Sequence, residues 1–391
     1  MFLKSATVRH YKSLDNVQIE FASPITVLVG PNAVGKSNIV DCLRFVRDAI
    51  AFDLEHAVSS RGGIGRVRQY SKTKPYKVSV KLDLFLDEVD DTHKPTPAQY
   101  EFSIQSETGS NYTVDMERGN YIEPARGGRP STKVQFERDK TGNIKISNDD
   151  LPHRVVPDQL AMGQLRGSVR FMGWPIERFI RDWRYSALYP NMLREPATPD
   201  KDKELSEDGR NWASVIKALR RTVRGKAALD RVYEAMKCVV PTFEEVTVST
   251  VGSYLVPRFR FALGQDDIVE FDPVQLSDGT LRIFGILLAL YQVPPPRLLV
   301  IEEPEQTVHP GVLGVLADAF REASENTQIL VTTHSPHFID HFEPAQVRVV
   351  TLENGLTKVC AMKRTQVEAV KRRLMSMQEF MLAEGLLPED A

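Results

Sequence analysis

The sequence is short of several things. Its 391 residues include three cysteines, Cys42, Cys238 and Cys360, far apart and without a C-x-x-C pair. That excludes a disulfide scaffold and a structural zinc knuckle, and predicts a reducing, cytoplasmic setting. No charge sign dominates: 50 Lys and Arg stand against 52 Asp and Glu. A global pull toward nucleic acid or an anionic membrane is therefore excluded. Long apolar runs are missing too. The richest, Ile283 to Leu290, is far too short to cross a bilayer. The opening MFLKSATVRHYKS has no apolar stretch with a small-residue cleavage site, so no signal peptide is expected. A sustained heptad pattern is also lacking, which excludes a long coiled-coil arm.

What is present is patterned. Residues 25–29 form a continuous apolar run, as in a strand buried on both faces. Strands are expected before it at 6–11 and 17–21, and a Gly-rich loop and a helix over 36–51 after it. Residues 59–75 read as a basic loop, and 76–86 alternate as a half-exposed strand. Strand-like pieces at 100–105, 112–116 and 133–136 predict an antiparallel sheet, with 126–130 as a loop tip. From 157 to 240 the pattern turns helical, with helices at 176–184, 212–222 and 227–239 and a linker at 190–202. Strands resume at 246–251, 255–263 and 268–271. The last 120 residues alternate: helix 279–291, strand 297–301, helix 311–323, strand 328–332, strands 347–351 and 356–362, then one helix over 366–382.

The chemistry begins at Gly30-Pro31-Asn32-Ala33-Val34-Gly35-Lys36-Ser37, which fits the phosphate-loop pattern G-x-x-x-x-G-K-[ST]. Glycines let successive N–H groups turn toward phosphate oxygens, and the following helix adds its N-terminal N–H groups and dipole. Lys36 would reach the β- and γ-phosphates, and Ser37 would place its hydroxyl on Mg²⁺. A second segment, Leu298-Leu-Val-Ile-Glu302-Glu303-Pro-Glu305, is an apolar strand ending in acids. Glu302 would serve the metal, and Glu303 would act as base or orient the attacking water. Phosphate-loop enzymes mostly carry Asp where Glu302 stands, so the metal geometry must adjust to one more methylene. Leu276-Ser277-Asp278-Gly279-Thr280 precedes an apolar helix. Alone it is an N-cap. Lying 25 residues before Glu302, it makes Ser277 and Gly279 candidates for binding a phosphate. His334 ends the strand after the acids. A lone His is more often structural, but this position suits contact with a γ-phosphate or its water.

In this order, phosphate loop, LSDGT, acidic strand and histidine resemble the ABC-type ATPases. VRHYKSLDNVQIEF followed by VLVGPNAVGKSN resembles their soluble branch, which holds RecF, the SMC proteins and the overcoming-lysogenization-defect (OLD-like) ATPases. IEEPEQTVHP and VTTHSPHFID look most like the compact stand-alone ATPases of that last group. The resemblance covers about residues 1–90 and 243–365. It implies an α/β fold: an ABC-type P-loop ATPase head with a mixed central sheet, built from both chain ends, plus an inserted β and helical subdomain. The expected division is 1–90 for the first half of the head, 91–242 for the insertion, 243–365 for the second half and 366–391 for a C-terminal helix.

The resemblance also implies ATP and Mg²⁺ as cofactors. Gly30, Pro31, Asn32, Ala33, Val34, Gly35, Lys36, Ser37 and Asn38 would hold the nucleotide in cis. Ser37 and Glu302 would hold magnesium, Glu303 would be catalytic, and His334 would be the switch histidine. Ser277 and Gly279 would touch the γ-phosphate bound to the other protomer, giving a homodimer or higher oligomer through an ATP sandwich. LSDGT departs from the common LSGGQ at its third and fifth positions but keeps that Ser and Gly. Arg9 and Lys12 match basic positions that approach nucleotide in relatives, and Gln69 falls near a glutamine-loop position.

The resemblance further implies a sensor or regulator with a separately encoded effector, a TOPRIM or other nuclease, in prokaryotic anti-phage defence or genome maintenance. About 25 residues after Arg364 leave no room for such a nuclease in this chain. The alternative is a RecF-like ATP-dependent DNA-binding clamp or repair protein. Two basic clusters bear on DNA: Lys217, Arg220, Arg221, Arg224 and Lys226, and Arg178, Arg181 and Arg184 beside Trp174 and Trp183. Given the balanced total charge, each reads first as a solvated helix face or a protein contact, and duplex binding is the hypothesis set against that. No membrane partner is expected.

Overall fold

A computed structural model of the chain describes every residue except 23, 71–76, 90–94, 107–110, 124–130, 148, 166–173, 202–203, 265–266 and 390–391. The loop tip expected at 126–130 lies outside the described residues. Two sheets dominate. The first has six strands in the order Trp183–Ser186, Leu298–Glu302, Gln328–Thr333, Ile25–Val29, Val347–Glu353, Leu356–Ala361. The first five run parallel, and the last turns back through Asn354 and Gly355, both at positive φ. That Asn-Gly pair is what a two-residue hairpin turn requires.

Ile25–Val29 sits in the middle and is buried at all five positions. Alternation along the strands splits the core in two. Leu28, Val300, Leu330 and Val350 face one core, shared with the helix Lys36–Ala51. Val27, Val29, Leu299, Ile301, Ile329 and Val331 face the other, shared with the helices Asp278–Leu290 and Leu313–Ala323. Covering both faces explains why these strands read as apolar runs. The pairing Glu302↔Thr332 and Thr333↔Val29 brings three strand carboxyl ends to one edge.

The second sheet has eight strands, antiparallel throughout. Its order is Val17–Glu20, Phe2–Arg9, Val78–Val89, Pro95–Ser106, Tyr112–Glu123, Thr132–Arg138, Asn143–Ile146, Asp149–Arg154. It is continuous across residue 90, because Val78–Val89 pairs directly with Pro95–Ser106. A third sheet, Phe243–Val251, Tyr254–Ala262 and Ile268–Phe271, packs beside the helices Trp212–Leu219 and Val223–Val239. The mixed α/β architecture is the one expected.

Several local expectations are corrected. The helix placed at 176–184 stops at Arg181, and Trp183–Ser186 is the edge strand beside Leu298–Glu302. Burial of Trp183 and Tyr185 against the sheet overrides the helical pattern. The supposed linker at 190–202 contains the helix Pro190–Arg194. The basic loop at 59–75 follows the helix Leu54–Ser59 and itself carries the short helix Ile64–Val67; Lys72 and Lys74 lie outside the described residues. The C-terminal helix is two, Arg364–Lys371 and Met377–Ala383. Arg373 at φ 57° ends the first, and a Ser376–Glu379 capping box starts the second. Among the described residues no helix is long and apolar enough to cross a membrane.

Candidate functional site

The phosphate loop leaves the end of Ile25–Val29 and enters Lys36–Ala51. Ala33 at φ 65° and Gly35 at φ 104° give the curvature. Gly30 and Gly35 are glycines for a second reason. A Cβ on Gly30 would lie 2.3 Å from the Val350 carbonyl oxygen, and one on Gly35 would lie 2.0 Å from Thr357 Oγ1. The loop is pressed against the hairpin 347–361 and has no space for a side chain there. Lys36 is buried, and its Nζ donates to the carbonyls of Gly30 at 2.7 Å and Pro31 at 2.9 Å. Burial lowers its pKa, while Glu303, Glu305 and Glu302 pull it back up. Those three acids thus face the loop lysine; the sequence motifs assign Glu302 and Glu303 to this site and leave Glu305 without a role.

Glu302 ends its strand close to the Ser37 hydroxyl, which favours its charged form. Burial raises the Glu302 pKa; Ser37 and Arg44 oppose it, and Glu303 adds to it. Glu303 stands at φ 46° with its N–H donating to Thr332 O at 2.9 Å. This left-handed turn swings its carboxylate out of the strand line. One oxygen lies 3.3 Å from His334 Nδ1, and the other accepts from Gln306 Nε2. His334 is half-exposed and therefore free to meet a ligand.

Glu305, quoted in the motif but given no role, organises this corner. Its Oε1 accepts from Thr333 Oγ1 at 2.5 Å and from the His334 N–H at 3.3 Å. Its Oε2 is buried with no hydrogen-bond partner. Its place two residues after Glu303 in the same short acidic segment was the available signal.

Ser277 caps the helix Asp278–Leu290, accepting from Thr280 N–H at 3.2 Å, and is exposed. Gly279 packs so closely that a Cβ would meet Thr307 O at 2.6 Å. The signature turn therefore touches the segment that follows the acids. Arg282 fastens the contact. Buried on the same helix, it donates to the carbonyls of Leu188 at 2.6 Å, Glu303 at 3.0 Å and Glu302 at 3.3 Å. Arg194 holds the cap from outside, with Nη2 2.8 Å from Leu276 O and 2.6 Å from Asp278 Oδ1. Both arginines were missed. A charge inside an otherwise apolar helix run was the clue for Arg282.

The opening strand meets the phosphate-loop helix rather than the loop's mouth. Lys12 Nζ lies 2.5 Å from Asp41 Oδ2, and Arg9 Nε donates to Asn16 Oδ1 at 3.1 Å. Asp41 also accepts from Tyr11 at 2.6 Å and Arg61 Nε at 2.9 Å, and this set of donors holds its pKa below the usual carboxylate range against burial. Asn38 is turned the same way: it donates to Ser13 Oγ at 2.7 Å, which is 2.7 Å from Thr357 Oγ1. Thr357 in turn donates to Val34 O at 2.9 Å. Ser13, Asn38 and Thr357 thus buttress the loop from behind. Gln69 hangs from His10 O by its N–H, and its Oε1 is buried without a partner.

Among the described residues no cluster of three or more His, Cys, Asp and Glu could hold a metal by itself. Magnesium asks for less: one or two carboxylates and a hydroxyl, completed by phosphate oxygens and water. Ser37 and Glu302, close together at the loop, fit that donor set.

Residues 25–340 match the family model described as "AAA domain, putative AbiEii toxin, Type IV TA system". The chain belongs to this AAA family. It is an AAA-family ATPase similar over part of its length to SMC and RecF proteins, in keeping with a site that gathers phosphate loop, acids and histidine on one sheet edge. Over 93 residues it is 39% identical to the chromosome partition protein Smc of Halothermothrix orenii, 23% of this chain and 7% of that one. Over 46 residues it is 44% identical to the DNA replication and repair protein RecF of Thermosynechococcus vestitus, 12% of each. The chain thus spans only a small part of the curated relatives it matches. Two solved structures share the fold of this AAA-family chain. An Smc head bound to the C-winged helix domain of ScpA has a TM-score of 0.57 at 12% identity, covering 94% of this chain and 99% of that one. An Smc head with an extended coiled coil, bound to the C-terminal domain of ScpA derived from Pyrococcus furiosus, has a TM-score of 0.53 at 11% identity, covering 95% and 99%.

Proposed function

We propose that this ATPase closes into a homodimer around ATP and Mg²⁺, and that closure regulates a separately encoded effector. The observation that carries this reading is the exposed Ser277 cap, tied through Gly279 and Arg282 to the backbone of Glu302 and Glu303 in its own protomer. A γ-phosphate bound by a partner would press on that cap and be felt at the catalytic acids. Within one protomer, Lys36 and the loop N–H groups hold the phosphates. Ser37 and Glu302 would hold magnesium, which would neutralise charge on the phosphates. Glu303, polarised by His334 and Gln306, orients the attacking water. Gln69, Arg9 and Lys12 reach the nucleotide only if the opening segment shifts.

The effector, a TOPRIM or other nuclease, and a setting in anti-phage defence among OLD-like proteins form the finer part of the proposal. The toxin–antitoxin wording of the family description supports a separately encoded partner and names no nuclease. The RecF similarity favours a second reading, an ATP-dependent DNA clamp. Sedimentation of the Glu303→Gln variant separates these. With ATP and magnesium it should accumulate as a dimer, with turnover lowered by about 10²–10⁴-fold. Turnover at the wild-type rate would refute the catalytic assignment. ATP-dependent, salt-sensitive retention of duplex DNA by that dimer would favour the clamp.

A further inference from the structure

The expected basic cluster Arg178, Arg181 and Arg184 is not one helix face. Arg184 sits on the edge strand, and Trp183 is fully buried and has no surface for stacking. Instead these arginines line a cleft of about 1090 Å³ between the edge strand, the far end of Lys36–Ala51, and Asp200, Lys201 and the segment 204–211. Seven Lys and Arg side chains line it against four Asp and Glu. This local excess of cations arises in a chain of net charge −2.

Three further features mark the cleft as more than a solvated crease. Tyr185 lines it, is 4% exposed, and its hydroxyl has no hydrogen-bond partner. Native proteins rarely leave such a group unsatisfied without a use for it. The guanidinium groups of Arg44 and Arg47 lie over the same ring, at 4.9 and 5.1 Å. Phe52, 58% exposed, lines the same cleft, as do Pro294 and Pro295. Cations beside an exposed ring are the combination that takes a phosphate together with a base.

We propose that this cleft binds a phosphate ester, carried by a free nucleotide or by the end of a nucleic-acid strand. The site is separate from the phosphate loop but not isolated from it. Glu207 and Arg210 also line a smaller adjoining cleft that reaches Arg44 and Glu302. Arg44 lies 2.5 Å from Glu207 and 3.9 Å from Glu302. An anion in the cleft competes for these charges and so changes the field at the magnesium-binding acid.

The test uses the full chain carrying Lys36→Ala, which silences the phosphate loop. Failure here is thus distinct from failure of the ATPase reading. Probes are inorganic pyrophosphate, AMP and a short 5′-phosphorylated single-stranded oligonucleotide, followed by calorimetry at low and high salt. Binding should be salt-sensitive and weakened at least about tenfold by Arg181→Ala with Lys201→Ala. Both side chains are well exposed, so circular dichroism and melting should match the parent. The oligonucleotide binding far more tightly than AMP assigns the site to a strand. AMP and the oligonucleotide binding alike assigns it to a free nucleotide. No binding of any probe below about 1 mM, or affinity untouched by the double substitution, overturns the proposal.

Discussion

Glu117 is fully buried and Glu302 only partly so; both are acids whose pKa is raised, yet they live in opposite circumstances. Glu117, in the antiparallel sheet, is fully enclosed and saturated. It accepts from Tyr100 at 2.9 Å, Ala161 N–H at 2.5 Å and Met162 N–H at 2.9 Å. Its neighbour Arg138 donates to the carbonyls of Val114, Pro157 and Val156 at 2.8, 2.9 and 3.1 Å. Glu302, at the carboxyl edge of the parallel sheet, has the Ser37 hydroxyl nearby and a guanidinium 3.9 Å away, and the charges of Glu303 and Asp41 oppose its own. Glu305 beside it keeps one oxygen unpartnered. The antiparallel sheet uses buried charge to fasten itself. The parallel sheet leaves capacity unspent where ligands of open α/β sheets bind.

The sharpest way to probe this contrast is to remove one charge from each region. Lys36→Ala should lower ATP turnover by more than about 10²-fold, because phosphate contacts stabilise the transition state directly. Its melting temperature should stay near that of the parent, since a buried amine with lowered pKa adds little to folding. Glu117→Ala should do the reverse. Leaving Tyr100 and two backbone N–H groups unsatisfied costs about 3 kcal/mol of unfolding free energy in urea titrations. Turnover per folded molecule should change by less than about twofold, an expectation built on its remoteness from the acids. If Glu117→Ala abolished turnover without loss of stability, the division between fastening and ligand-binding charge would fail. A milder case lies between the regions. Thr357→Val keeps volume but removes the bond to Val34 O, so it should cost about 1 kcal/mol and raise KM for ATP severalfold.

The sequence was most informative where chemistry dictates both residue type and spacing. Gly30 to Ser37, Glu302, Glu303 and His334 are read in a line and meet at one sheet edge. Ile25–Val29 was also legible to the residue, because a strand covered on both faces must be apolar throughout. Legibility ended where partners are distant in the chain. Ser13 and Thr357 are separated by more than 340 positions and meet behind the phosphate loop. Nothing local marks either one. Arg282 was absorbed into an apolar helix, although its charge inside that run marked a buried carbonyl clamp. Glu117 and Arg138 sit in strands of ordinary alternation, where a buried charge looks like any outward-facing polar residue. Trp183 was placed on a helix because helical spacing continues into it, and the edge pairing with Leu298 decides otherwise.

The smallest effect gives the finest test, and it turns on Glu302. In the folded chain its pKa stands above the ordinary value of 4.5, with burial as the main cause. The folded state therefore binds its proton more tightly than the unfolded state does. Stability falls as pH rises from the unfolded value through the folded one, and above that window the full penalty of a buried charge is present. Glu302→Gln removes the charge and keeps the shape. Without nucleotide, the variant should melt above the parent at about pH 8, with the gap closing toward about pH 4, where both side chains are neutral. ATP and magnesium should reverse the order at high pH, because only the carboxylate gains from the metal. The same substitution at Glu117 should show no such reversal, since no ligand awaits its oxygens. An equal gap at both pH values, or a gap insensitive to ATP and magnesium, would make Glu302 a fastening charge like Glu117 and remove it from the metal site.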